Sequence, residues 1–102
     1  MGSGLIFLPE AKQDLVDGFL WYEDKALGLG LEFLRSIEAC ILSIQRQPLM
    51  YQPVHENYRR ALIRRFPYLV FYQHESGQTV IFAVFHCAQN PDKWNARIAG
   101  QK

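Results

Sequence analysis

The sequence predicts an α+β fold: an N-terminal strand, an antiparallel helical hairpin, then a three-stranded antiparallel sheet, with the helices packed on one face. Three observations predict it. Two amphipathic stretches are separated only by Gly28-Leu29-Gly30. A strand-forming run with turn signals fills residues 58–87. A short apolar run, Leu5-Ile6-Phe7-Leu8, precedes the first helical pattern.

Taken in order, residues 5–8 read as the first strand. Pro9 suits the first position of a helix, where its missing N–H costs nothing. Glu10 and Asp14 fall in the early turns, where negative charge complements the helix dipole. Ala11, Leu15, Phe19 and Tyr22 recur at spacings of four and three, widened by Val16 and Leu20, so a helix is expected over 9–26. After the Gly28-Leu29-Gly30 break, Leu34, Ile37, Ile41 and Ile44 form the stripe of a second helix over about 29–46, stopped by Pro48. So short a break predicts an antiparallel hairpin.

Residues 50–57 are polar and read as loop. Strands are expected near 58–66, 68–75 and 79–87. Glu75-Ser76-Gly77-Gln78 supplies the last hairpin turn. Centred on Ser76 and Gly77, that turn sets Tyr72 opposite Ile81, Val70 opposite Ala83 and His86 opposite Pro67. Val80 to Phe85 is apolar on both faces, as a central strand requires. Asp92–Ala99 reads as a short helix.

The 102 residues suit one domain over 5–98, with residues 1–4 read as a cloning remnant. Such a length buries an adequate core without disulfides or metal. No apolar run approaches a membrane span, and no signal peptide is apparent. Cys40 and Cys87 lie in apolar runs and read as two buried thiols of a reducing compartment, hence the cytoplasm. The net charge of +1 is unevenly divided. Residues 1–50 carry four basic and seven acidic side chains, net −3; residues 51–102 carry seven and three, net +4. The basic half points to a directed patch rather than general affinity for polyanions.

Arg59, Arg60, Arg64 and Arg65 concentrate that charge. If they lie on one strand, Arg60 and Arg64 share one face and Arg59 and Arg65 the other. Either one pair is solvated while the other meets helix carboxylates, or they form a surface that grips phosphate or carboxylate groups bidentately. His86 reads as a strand-end histidine in a structural hydrogen bond, or as a general acid or base. Its expected register sets it near Arg65 and Phe66. Cys87 points away from it, which excludes a thiol–histidine pair. His55, His74 and His86 lack metal-ligand spacing, so no metal or cofactor is expected. Gly28-Leu29-Gly30 does not follow a strand and is no phosphate loop. Tyr68, Tyr72 and Trp94 have faces on which bases could stack, but aromatics in strands usually serve as core or sheet surface.

The chain resembles the RelE/ParE superfamily of bacterial toxins from type II toxin–antitoxin systems, on its ParE-like, plasmid-stabilisation side. The resemblance rests on Leu8-Pro9-Glu10-Ala11 with Asp14-Leu15, Arg59-Arg60 ahead of Phe66-Pro67-Tyr68, Val70-Phe71-Tyr72, Ala83-Val84-Phe85-His86 and Asn90-Pro91-x-x-Trp94. It covers about residues 5–95. It implies a toxin held inactive by a cognate antitoxin, whose acidic, partly disordered tail folds over the helices and sheet. RelE-like members of the superfamily cut mRNA on the ribosome; ParE-like members poison DNA gyrase. Ala88 and Gln89 stand where close relatives often carry arginines, and no tyrosine follows Tyr72. In-line RNA cleavage would lose electrostatic support from such a tail. The resemblance therefore implies a gyrase inhibitor without enzymatic activity. Its target or antitoxin contacts would be Arg59, Arg60, Arg64, Arg65, Tyr72 and Trp94. The alternatives are a ribosome-dependent endoribonuclease using Arg60, Arg64 and His86, and a non-toxic binding module of the same fold. A homodimer is a further assembly open to the fold; a membrane partner is not expected.

Overall fold

The computed structural model describes residues 4–100. Its elements run β1 (Gly4–Phe7), α1 (Pro9–Lys25), α2 (Leu29–Arg46), β2 (Gln52–His55), β3 (Tyr58–Leu62), β4 (Tyr68–Glu75), β5 (Gln78–His86) and α3 (Pro91–Gly100). They build one five-stranded sheet in the order β1-β5-β4-β3-β2. β1 is parallel to β5, and every other pair is antiparallel. The α+β class stands as the sequence predicts. Gly4 already pairs with Gln78, so the first strand opens one residue early. The remaining residues read as a cloning remnant, 1–3, lie outside the described residues.

Pro9 opens α1 and Lys25 sits in its last turn, as the dipole favours. Gly28 turns the chain in the left-handed region at φ 87°. The Glu23 carboxylate then accepts from the Gly28 N–H at 2.9 Å and the Gly30 N–H at 3.0 Å. It caps α2 from the end of the preceding helix, satisfying donors that have no partner within the helix. The helices touch at glycines. A Cβ on Gly18 would stand 2.7 Å from the Phe33 ring, and one on Gly30 2.7 Å from the Phe19 carbonyl oxygen. Neither position has room for a side chain.

The sheet is covered on both sides. Val70, Tyr72, Ile81 and Val84 pack with Phe33, Ile37, Ile41 and Ile44 of the helical hairpin. Phe71, Phe82, Ala83 and Phe85 point the other way and gather with Tyr58 and Ile98. Adjacent strand residues face opposite sides, so α3 covers the face that the hairpin leaves bare. Trp94 stacks on Phe71, with centroids 5.1 Å apart. The expectation of helices on one face holds for α1 and α2 and fails for α3.

Three other local expectations are corrected. Residues 52–55 are a strand rather than loop: β2 pairs with β3 and forms an edge. The strand expected over 58–66 ends at Leu62. Pro67 lacks an N–H for the ladder, and Arg65 takes a left-handed φ of 73°, so the chain between β3 and β4 loops. The last hairpin turns at Ser76 and Gly77, as expected, with φ of 55° and 75°. Tyr72 pairs with Ile81, also as expected, but Phe71 pairs with Ala83. Phe82 is therefore an extra residue in β5, a bulge that sends Phe82 and Ala83 to the same face. The bulge sets Val70 opposite Val84 and His86 opposite Tyr68, each one residue away from the expected partner.

Candidate functional site

The four arginines of the basic run do not alternate along one strand. Only Arg59 and Arg60 lie in β3. Arg59 Nη1 donates to the Tyr51 carbonyl at 2.6 Å and more weakly to that of Leu49 at 3.3 Å. Arg60 donates through Nε and Nη2 to Gln52 Oε1 at 3.3 and 3.2 Å. Both thus fasten the α2–β2 connection and the edge strand to the sheet. Arg65 reaches Glu32 in the first turn of α2 and lies over the Phe66 ring. This is the helix carboxylate that the sequence reading offered to one arginine pair. Arg64 is exposed and makes no ion pair among the described residues.

Arg64 and Arg65 line a groove of about 740 Å³ between α2 and the end of β3. Arg35 rises from its helical wall, Ala39 and Cys40 lie below, and Met50, Tyr51 and Leu62 close the opposite side. The groove is apolar in its floor and cationic on its rim. Burial pushes the Cys40 thiol up to about 11, so it stays protonated and inert near neutral pH.

Tyr72 is not a surface contact. It is fully buried, and its hydroxyl donates to the Pro48 carbonyl. Burial pushes its phenol up to about 12, against the nearby Arg59 cation, which lowers it. Trp94 is half-buried under its stack on Phe71 and braces α3 against the sheet. Cys87, expected to be buried, is exposed after the end of β5, while Cys40 is buried as expected.

His86 closes β5 half-buried. Its Nδ1 accepts from the Ala88 N–H at 2.9 Å, and its own N–H donates to Gln89 Oε1 at 2.9 Å. Its ring stands edge-on to Tyr68, with centroids 5.2 Å apart. Ala88 and Gln89 thus shape the strand-end turn. His86 lines a depression of about 290 Å³ with Asp14, Asp17, Trp21 and Tyr68. Two carboxylates and no arginine line it, an unfavourable lining for an RNA phosphate. The grouping of Arg60, Arg64 and His86 is not assembled here: Arg60 binds Gln52, Arg64 lines the other groove, and His86 faces carboxylates.

The sequence reading missed the most enclosed charge pair. Arg97 of α3 donates from Nη1 to Asp14 Oδ2 at 3.1 Å and to the Phe82 carbonyl at 2.9 Å. Asp14 Oδ2 also accepts from the Val84 N–H at 2.9 Å, where the bulge is closing. The Arg97 guanidinium lies over the Phe85 ring, 4.7 Å from its centroid. Burial raises the Asp14 carboxyl above its usual value, and the hydrogen bonds from Arg97 and Val84 oppose the rise without cancelling it. A signal was present. Asp14 follows Ala11 by three and precedes Gly18 by four, so it falls on the helix face turned to the sheet.

Among the described residues no group of three His, Cys, Asp or Glu side chains is placed to hold a metal ion. No helix among them is long and apolar enough to cross a membrane.

Comparison with known proteins places this architecture. The family profile described as the ParE toxin of the type II toxin-antitoxin system, parDE, matches residues 5–91. Toxin ParE2 of Mycobacterium tuberculosis is 29% identical over 91 residues, in strain CDC 1551 / Oshkosh and in strain H37Rv alike, covering 88% of this chain and 87% of the relative. A solved structure titled "Chromosomal ParDE TA system from P. aeruginosa" superposes with a TM-score of 0.71 at 14% identity, covering 81% of this chain and 94% of that one, and so shares its fold. The helical hairpin, the β1-β5-β4-β3-β2 sheet and the match across residues 5–91 lead to one conclusion: the chain belongs to the ParE toxin family of type II toxin–antitoxin systems.

Proposed function

We propose that this protein is a toxin that acts by binding rather than by cleaving RNA, that its target is DNA gyrase, and that a cognate antitoxin neutralises it. The observation that carries the non-enzymatic reading is the setting of His86: no arginine lines its depression, and of the two carboxylates there Asp14 already holds Arg97. A ribonuclease needs cations around the scissile phosphate and a base free to take a proton. Here Asp14 and Asp17 share the depression with His86, and its Nδ1 is occupied by the Ala88 N–H. Family membership supports both the antitoxin and the ParE-type target.

On this reading the toxin domain spans residues 5–98, and the exposed Arg64 is the first place to look for target contacts. Purified protein is expected to block supercoiling of relaxed plasmid by gyrase. Expressed without antitoxin, it is expected to stop DNA synthesis before protein synthesis. Arg64→Ala is expected to weaken inhibition by roughly tenfold, the scale of one lost charged contact at an interface, with an unchanged melting temperature. Normal supercoiling with excess protein rejects gyrase as the target. Cut mRNA in a translating extract restores the endoribonuclease reading.

A further inference from the structure

We infer that the solvent face of α1 is a self-association surface, on which a second copy of this chain docks its own α1 antiparallel. The helix supplies the first reason. Ala11, Leu15, Gly18 and Tyr22 turn to the core. At 3.6 residues per turn, Lys12, Val16, Leu20 and Asp24 form one ridge on the opposite side. All four are exposed. An outward helix face is ordinarily polar, yet the middle of this ridge is apolar, with Val16 48% and Leu20 58% exposed.

The neighbouring ridge differs in being satisfied from within. Gln13 Nε2 donates to Asp17 Oδ1 at 2.9 Å, and the Lys25 ammonium lies 4.1 Å from the Trp21 ring centroid. Each of these side chains finds its partner four residues along the same helix. The Lys12 ridge has no such pairs. The side chains of Lys12 and Asp24 enter no ion pair or hydrogen bond among the described residues. They stand about 18 Å apart along the axis at 1.5 Å per residue, too far to meet each other.

The order of the four residues gives the second reason. The ridge runs charge, apolar, apolar, charge, and its two end charges are opposite. A second α1 laid antiparallel along it sets Lys12 beside the partner's Asp24, and Asp24 beside the partner's Lys12. Val16 and Leu20 then pack on the partner's Leu20 and Val16. This is the self-complementarity that a two-fold contact requires. Two such ridges run along each other when the helices cross at about 50°. A parallel copy would set like charges together at both ends. A polyanion or an acidic peptide would meet Asp24 with its own sign of charge.

The rest of the fold leaves room for this contact. α1 packs on β5 and α2 on β3, so α2 separates the ridge from the groove of Arg64. Both copies keep that groove open, and the dimer presents it twice. One helix pair buries less than the roughly 1,200 Å² at the lower end of standard interfaces, so a dissociation constant on the order of tens of micromolar is expected.

This association needs neither gyrase nor an antitoxin, so the sample is the free full chain; gyrase assays on the same material score the toxin reading separately. In sedimentation velocity from about 1 to about 500 µM, the mean mass is expected to rise from 11.9 kDa towards twice that value. Leu20→Asp is expected to keep the chain monomeric at an unchanged melting temperature. Lys12→Glu and Asp24→Lys are each expected to weaken association roughly tenfold, because each leaves like charges at both ends of the contact. Mixed together, these two variants are expected to pair at close to the parent's affinity, since one then offers two acids and the other two bases. A monomer at every concentration, undiminished association of the Leu20→Asp chain, or no rescue in the mixture would each overturn the inference. A monomer that instead needs Leu20 to bind phosphatidylglycerol vesicles would overturn it in favour of a lipid surface.

Discussion

The molecule carries two arginine–carboxylate bridges among its described residues, and they lie in opposite surroundings. Arg97 and Asp14 keep 19% and 13% of their side-chain surface exposed, at the seam between α1, β5 and α3. Arg65 and Glu32 keep 63% and 45%, on the rim of the basic groove. The enclosed bridge holds three elements and two backbone groups together. The open one ties a loop to a helix beside Arg64, which is exposed and makes no ion pair among the described residues. Arginine count alone suggested a function for the basic run, yet the arginine most committed to the fold lies outside it. How far an arginine is committed to the fold is set by its burial, not by its residue type.

The sharpest way to break this comparison is to remove Arg97. Arg97→Ala leaves Asp14 enclosed with only the Val84 N–H and leaves the Phe82 carbonyl without its guanidinium donor. A loss of about 3 kcal/mol is expected, the low end for a buried ion left without its partner, read from urea midpoints. A loss below about 1 kcal/mol would place this bridge in the class of surface pairs. Next comes the Glu23 cap. Glu23→Ala removes the acceptor of two N–H groups at the start of α2 and is expected to cost about 1 kcal/mol. Smaller still is Arg65→Ala, expected to change stability by no more than about 0.5 kcal/mol in either direction. Arg65→Gly is expected to be at least as stable as Arg65→Ala, because glycine adopts the φ of 73° without strain. A glycine variant less stable than the alanine one would contradict that account.

The smallest effect is one of pH. Burial holds the folded Asp14 carboxyl above its usual value of 3.8. The folded state therefore binds this proton more readily than the unfolded chain does. The stability it lends is fully present below the unfolded value and is lost as pH rises through the folded one. Asp14→Asn removes the titration. The stability of the parent relative to this variant is expected to fall as pH rises through the mildly acid range, in parallel urea titrations. A rise over that range would mean that Arg97 outweighs burial at Asp14.

The helices were legible because their boundaries are chemical: Pro9, the Gly28–Gly30 break and Pro48 are written in the sequence, and the apolar stripes repeat for several turns. β2 was not, because Gln52-Pro53-Val54-His55 is short, mostly exposed and contains a proline, which an edge strand tolerates and a propensity reading rejects. The end of β3 was misread because Ile63 and Phe66 continue the apolar pattern while the chain has already left the sheet. The bulge at Phe82 is hidden inside a run that is apolar on both faces, where an extra residue leaves no break in pattern. For the site, the sequence located the basic corner but not its division of labour. Whether an arginine is free depends on which carbonyl or carboxylate lies opposite it. For Arg59, Arg60 and Arg65 those partners come from the α2–β2 connection, β2 and α2.

One topological feature reaches beyond the native state. β1 lies parallel to β5, with residue 4 beside residue 78. The chain from residue 4 to residue 78 must be gathered before its first strand has a partner, and closing so long a loop is paid in entropy before any ladder bond repays it. Refolding from denaturant is therefore expected on the millisecond-to-second scale of sheets joined by distant segments, not the microseconds of local helical folds. During synthesis the apolar stripes of α1 and α2 emerge well before the strand that covers them. The nascent chain thus passes through a stage with a formed hairpin, a bare apolar face and no complete toxin.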